Sequence, residues 1–235
     1  MHFVPPLEPA QLIRRYKRFL ADVERNGEVL TVHCPNTGAM LGCAEPDSPV
    51  WLHRAANPKR KYAFTWELVQ VTSGVVVGVN TGRANNLVRE AIEGGRIPAL
   101  TGYDDIRAEV RYGAENSRID FVLSGAARTP CYVEVKNVTA AVTDGVALFP
   151  DAVTVRGQRH LREMQVLVES GTARAALVFC VQRRDVHEVR PADSIDAAYG
   201  TALRQAMDAG VEVYAIRGAP SAREITLDEL IPVIV

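Results

Sequence analysis

The hydrophobic pattern changes period once along this chain, close to Asn80, and no other feature restricts the fold as much. Ahead of that point apolar residues alternate in short runs between turn residues, the two-residue period of strands with one buried face. Beyond it Ala84, Leu87, Val88, Ala91 and Ile92 keep i, i+3, i+4, i+7, i+8 spacing until Gly94-Gly95. That is an amphipathic helix with a glycine stop. A chain of 235 residues has room for two small domains, each with its own core. The expected division is 1–81 and 82–235.

In the first part, Phe19, Ala21 and Val23 alternate with Leu20, Asp22 and Glu24, and Asn26-Gly27 supplies the φ > 0 residues of a tight hairpin. The strand returns over 29–34. An irregular stretch rich in Pro, Gly, Asn, Asp and Ser fills 35–49, and strand signals resume at 50–54, 62–72 and 75–79. About five strands without a helix suggest a small β-barrel or sandwich. Leu12, Ile13, Tyr16, Phe19, Leu20 and Val23 also fit a helical period, but the Asn-Gly turn directly after them favours strand.

In the second part, strands are expected at 106–112, 118–123 and 131–138, then a helix over 158–169. A continuous apolar strand follows at 173–181, then a helix over 196–209 and a strand at 211–216. Helix, three strands, helix and strand describe an α/β layered domain.

Composition excludes several classes. With 27 Lys and Arg against 28 Asp and Glu, the chain is not a polyelectrolyte binder as a whole. Its basic residues nonetheless cluster, as Arg15 and Lys17, as Lys59, Arg60 and Lys61, and as Arg156 and Arg159, and such patches engage phosphates. No apolar run approaches the ~20 residues that span a bilayer. The opening residues have neither the basic flank nor the apolar block of a secretory signal, so a cytoplasmic location and no membrane partner are expected. Cys34, Cys43, Cys131 and Cys180 form no CxxC pair and read as reduced, buried thiols. A zinc site from His33, Cys34 and Cys43 is disfavoured, because that spacing fits no common zinc pattern.

The chemistry-bearing residues sit on two consecutive strands. Residues two apart share a face. Ile119, Phe121 and Leu123 therefore point one way and Asp120 the other. Cys131, Val133 and Val135 likewise oppose Glu134 and Lys136. If these strands pair, Asp120 and Glu134 converge, and two adjacent carboxylates repel unless a cation lies between them. Hard oxygen donors on a rigid strand pair suit Mg²⁺ or Mn²⁺. Lys136 on the same face supplies a cation for charge developing on a phosphoryl oxygen. The same residues also fit exposed ion pairs worth about 0–1 kcal/mol. Glu90, at the rim of the first helix, and Gln158, opening the second amid basic residues, are candidate additions; His160 beside it reads as a surface histidine.

The sequence resembles the sugar fermentation stimulation protein A family over essentially its whole length. The residues carrying the match span 12–19, 33–38, 57–61, 65–67, 115–120, 132–139 and 149–154. They include His33-Cys34-Pro35-Asn36-Thr37-Gly38 and Glu115-Asn116-Ser117-Arg118-Ile119-Asp120, together with Glu134-Val135-Lys136-Asn137 and Phe149-Pro150-Asp151-Ala152-Val153-Thr154. This resemblance implies an N-terminal OB-like small β-barrel and a C-terminal PD-(D/E)xK restriction-endonuclease-like α/β domain. It maps the acidic motif onto Asp120, the ExK motif onto Glu134 and Lys136, the helical acid onto Glu90, and a helical glutamine onto Gln158. The residue before Asp120 is Ile119 where the motif name has proline.

The expected function is a Mg²⁺- or Mn²⁺-dependent nuclease acting on DNA and/or RNA. Asp120, Glu134 and the carbonyl of Val135 would hold metal, and the barrel would grip nucleic acid through Lys59, Arg60, Lys61, Trp51 and Trp66. The alternative is a non-catalytic DNA-binding regulator of sugar (maltose-type) metabolism genes. A homodimer is compatible with either.

Overall fold

The computed structural model describes residues 1–115, 117–126, 128–141 and 145–235. Asn116, within one of the blocks that carry the resemblance, lies outside the described residues. The first domain is built from β1 (Glu8–Tyr16), β2 (Leu20–Arg25), β3 (Glu28–His33), β4 (Pro49–Arg54), β5 (Phe64–Gln70) and β6 (Val76–Gly78). Its strand order is β3-β2-β1-β4-β5-β6, and a further parallel contact between His33 and Thr65 joins β3 to β5. That contact closes a five-stranded barrel of OB type, removing the open edges that would otherwise template aggregation. Leu12, Val23, Val32, Leu52 and Trp66 fill its interior, all fully buried.

The run over 12–23 is two strands rather than one. Tyr16 pairs with Leu20 across a hairpin in which Lys17 and Arg18 hold φ of 50° and 63°. Left-handed backbone in a hairpin is usually carried by Asn or Gly, so a Lys-Arg turn leaves no sequence signal. The Asn26-Gly27 turn, at φ of 55° and 82°, has the expected residues in the expected place.

The second domain begins with α1 (Ala84–Glu93), then β7 (Asp105–Tyr112), β8 (Ser117–Gly125), β9 (Arg128–Val138) and β10 (Gly145–Phe149). It continues with α2 (Val155–Glu169), β11 (Arg174–Val181), β12 (Val186–Pro191), α3 (Asp193–Asp208), β13 (Glu212–Gly218) and β14 (Leu227–Ile231). Six of these strands form a mixed sheet in the order β14-β13-β11-β9-β8-β7, while β10 and β12 make a separate parallel pair. The β9–β11 and β11–β13 pairings are parallel and the flanking pairings antiparallel. Parallel strands need a crossover, and α2 and α3 provide it.

Sheet alternation sorts the core. Phe121, Leu123, Cys131, Val133, Ala176, Val178 and Ile216 pack with the apolar stripe of α1 on one face. Ala175, Leu177, Phe179 and Ala215 pack with Leu161 and Met164 of α2 and Tyr199 and Leu203 of α3 on the other. The helical backbone of α3 breaks at Asp196 (φ −146°, ψ 80°), whose carboxylate accepts the Tyr199 N–H and so caps the continuing helix.

Candidate active site

Alternation along β8 and β9 sends Phe121 and Val133, paired across the ladder, beneath α1. Asp120 and Glu134, one step along each strand, project to the face covered by α2. Their carboxylates are neighbours. Asp120 Oδ2 accepts the Val135 N–H at 2.7 Å, and Val135 follows Glu134 directly. Asp120 Oδ1 accepts from Asn85 Nδ2 at 2.8 Å.

Glu134 is 3% exposed. Its Oε1 meets Lys136 Nζ at 2.6 Å and His160 Nδ1 at 2.5 Å. His160 Nε2 in turn accepts from Arg156 Nε at 3.3 Å. This pattern assigns the imidazole proton to Nδ1, so the ring donates to Glu134. The other oxygen, Glu134 Oε2, is buried with no hydrogen-bond partner. A buried carboxylate oxygen left unsatisfied costs about 1–3 kcal/mol, more where it bears charge.

The electrostatics follow from this packing. Burial, and then the charge of Glu134, push the Asp120 carboxyl up to about 6. Glu134 ends below the ordinary carboxylate range: burial acts to raise it, but the ammonium of Lys136 and the hydrogen bond from His160 outweigh it. Tyr112 has a buried hydroxyl without a partner, and its pKa is raised by burial and then by Glu134. Two carboxylates and one ammonium thus share a largely buried site in which one carboxylate oxygen has no partner. A hard divalent cation is the group such a donor set fits, since it would satisfy Glu134 Oε2 and stabilise ionised Asp120 together. Among the described residues, no group of three or more His, Cys, Asp or Glu side chains converges on one point, so two carboxylates are the side-chain donors at hand.

Several expected residues lie elsewhere. Glu90 is 51% exposed on α1 and pairs with the Met1 amine at 2.7 Å. The α1 residue that reaches Asp120 is Asn85, a turn and a half earlier, because only the start of that helix comes to the polar edge of the strand pair. Gln158 bonds the Asp196 carboxylate at 3.0 and 3.2 Å and ties α2 to α3. His160, read as a surface residue, is 2% exposed and holds Glu134. The signal was present: His160 lies four residues before Met164, on the stripe that α2 buries. Asn85 gave no such signal.

The basic residues divide similarly. The Arg15 guanidinium donates to the carbonyls of Arg18, Asn36 and Gly38 at 2.8, 2.9 and 2.8 Å, bracing a loop instead of facing solvent. Arg60 bonds Thr65 and His33. Arg156 backs His160, and half-buried Arg159 has its Nε buried without a partner. Lys17, Lys59 and Lys61 are exposed. Trp66 is fully buried, its indole N–H bonding the Leu68 carbonyl at 2.9 Å, and Trp51 is half-buried against the main core, so neither is a free stacking platform.

His33, Cys34 and Cys43 do not form a ligand set. His33 faces Arg60, Cys34 packs on Met40, and Cys43 points at the Thr139 carbonyl. All four cysteines are free and buried, and burial pushes the Cys43 thiol up to about 11 and that of Cys131 to about 12.

Residues 13–79 match the family model described as SfsA N-terminal OB domain, and residues 82–224 match the one described as Sugar fermentation stimulation protein RE domain. A sugar fermentation stimulation protein homolog of Alkalilimnicola ehrlichii is 58% identical, over 99% of both chains. One from Teredinibacter turnerae is 55% identical over 100% of both. Among solved structures, that of Pyrococcus furiosus SfsA in complex with Ca2+ superposes with a TM-score of 0.89 at 26% identity, covering 99% of this chain and 98% of that one. Barrel, α/β layer and sequence agree across the whole length, and the chain belongs to the sugar fermentation stimulation protein (SfsA) family.

Proposed function

We propose that this chain is a divalent-cation-dependent nuclease that hydrolyses phosphodiester bonds of DNA or RNA, using Mg²⁺ or Mn²⁺. The observation that carries the reading is Glu134 Oε2, buried and unpartnered beside a second carboxylate whose ionisation is disfavoured by burial and by Glu134. Asp120, Glu134 and the Val135 carbonyl are the groups that would hold the ion. The Pyrococcus relative was solved in complex with Ca2+, another hard cation. Bound here, such an ion supplies Lewis acidity at a phosphoryl oxygen and an activated water.

The remaining steps belong to the chain itself. His160, braced by Arg156, orients Glu134 by holding Oε1 and leaves Oε2 unpartnered. The half-buried Lys136 ammonium stands on Glu134 Oε1, where it stabilises negative charge developing on a transferring phosphoryl group. Asn85 and the Val135 N–H fix Asp120 from two sides. A reducing cytoplasm suits the four buried, unpaired cysteines.

Cleavage of end-labelled DNA and RNA with Mg²⁺ or Mn²⁺ tests this reading in wild type and in Glu134→Gln, which keeps the side-chain shape. Product from wild type and none from the variant supports it; equal cleavage by both removes it. The second reading, a non-catalytic DNA-binding regulator of sugar metabolism genes, is favoured by one observation. Glu134 Oε1 already has the Lys136 ammonium and the His160 N–H as partners without an added ion. Sequence-selective, salt-dependent duplex binding with no metal requirement and no cleavage would establish it.

A further inference from the structure

The blocks of sequence that carried the resemblance lie far apart in the chain, yet four of them line one cleft of about 370 Å³ between the barrel and the α/β domain. Arg18, Asn36 and Thr37 form the barrel wall; Lys136, Asn137 and Thr154 form the opposite one. Lys136 belongs to both this cleft and the carboxylate site, since its Nζ rests on Glu134 Oε1. Lys136 therefore links the cleft to the carboxylate site, although Asp120 and Glu134 do not themselves line it.

Its walls are braced. Arg15 holds the carbonyls of Asn36 and Gly38. Asp151 crosses from the other domain to accept the Met40 N–H at 3.1 Å. Gly38 lies so close to Asp151 that a Cβ there would overlap its carboxylate. Thr81 Oγ1, at the end of the barrel domain, bonds the Pro35 carbonyl at 2.7 Å and steadies the same loop. Such a cleft is preformed; its lining combines hydrogen-bonding groups, apolar Phe149, Pro150 and Val153, one cation on each side, and the Asp151 carboxylate, which the Met40 N–H engages.

From this we infer that the cleft is the binding subsite for a single nucleic-acid strand, which passes between the two domains and delivers one phosphodiester to Lys136. The volume is that of a small-ligand pocket, about the scale of one nucleotide. A duplex, whose backbones flank a major groove about 12 Å wide, does not enter it. Arg18 and Lys136 pair with successive phosphates, while the threonine hydroxyls and asparagine amides meet sugar and base edges. This inference rests on the nuclease reading for what happens at Lys136, but strand binding is measured without it.

The test is fluorescence anisotropy of a labelled single-stranded 12-mer and of its blunt duplex, in EDTA so that cleavage plays no part. Expected is at least tenfold tighter binding of the single strand, with a salt slope of about −1.4 for two neutralised phosphates at roughly −0.7 each. Thr37→Trp fills the cleft from an exposed position whose side chain makes no hydrogen bond. It should weaken strand binding tenfold or more. Arg18→Asn, suited to the left-handed backbone there, should weaken it several-fold and flatten the slope by about half. Equal or tighter binding of the duplex overturns the inference, as does Thr37→Trp binding like wild type with an unchanged melting temperature. Selective strand binding without cleavage in Mg²⁺ would defeat the nuclease reading and leave the cleft assignment standing.

Discussion

The two faces of the β8–β9 strand pair obey different rules. On one, Phe121, Leu123, Cys131 and Val133 pack under α1, and any well-fitting apolar side chain would bury there at a similar gain, about 25 cal/mol per Å². On the other, Asp120, Glu134 and Lys136 meet Asn85 and His160, and each contact depends on a particular donor facing a particular acceptor. The apolar face stabilises the fold and tolerates exchange. The polar face carries an unsatisfied oxygen and a carboxyl that burial and Glu134 raise to about 6, a combination that clusters at functional sites.

Substitutions on the two faces should therefore separate stability from activity. The largest effect is expected from Glu134→Gln. It should lower cleavage by about 10³-fold, equivalent to ~4 kcal/mol, with a melting temperature close to wild type. A variant that cleaves normally would place the chemistry elsewhere. On the apolar face, Leu123→Ala should cost about 3 kcal/mol in urea unfolding and leave activity per folded molecule unchanged.

Asp120→Asn should move stability the other way. The raised Asp120 carboxyl means the folded state binds more protons than the unfolded state between about 4 and 6. Ionising Asp120 thus removes stability as pH rises through that window. Without divalent ions, the variant should gain on the order of 2 kcal/mol at pH 8 and nothing at pH 4. It should also lose the Mg²⁺-induced rise in melting temperature; a stability difference from wild type that does not change between pH 4 and pH 8 would show that Asp120 is not repelled by Glu134.

The smallest of these effects concerns His160. In His160→Gln, the Mg²⁺ concentration for half-maximal cleavage should rise by about tenfold, as expected for a residue that orients a metal-binding carboxylate. A fall in maximal rate at unchanged Mg²⁺ dependence would argue for a role in packing alone.

Periodicity announced α1, β8 and β9 because each is long and buries a regular stripe, and an unbroken apolar run announced β11, buried on both faces. It missed β10, β12 and β14 for a matching reason. These are five- or six-residue strands, and in β14 the three residues between Leu227 and Ile231 are all exposed, so no alternation marks them. The site divides along the same line. Asp120, Glu134 and Lys136 were legible from strand alternation, whereas Glu90 and Gln158, placed by helix position and by the resemblance, make other contacts. Arg15 looked like a phosphate contact because composition counts charge and is blind to the three carbonyls it braces.

Alternation on two neighbouring strands was enough to determine that two carboxylates and a lysine share a polar face, because side-chain direction in a strand is set by local backbone geometry. Which groups meet that face was decided by tertiary structure alone. His160 arrives on a helix 26 residues after Glu134, and Asn85 on one 35 residues before Asp120. The cleft walls come from opposite sides of the domain boundary. Such meetings depend on how helices and domains pack across the chain, and a local pattern carries no record of that.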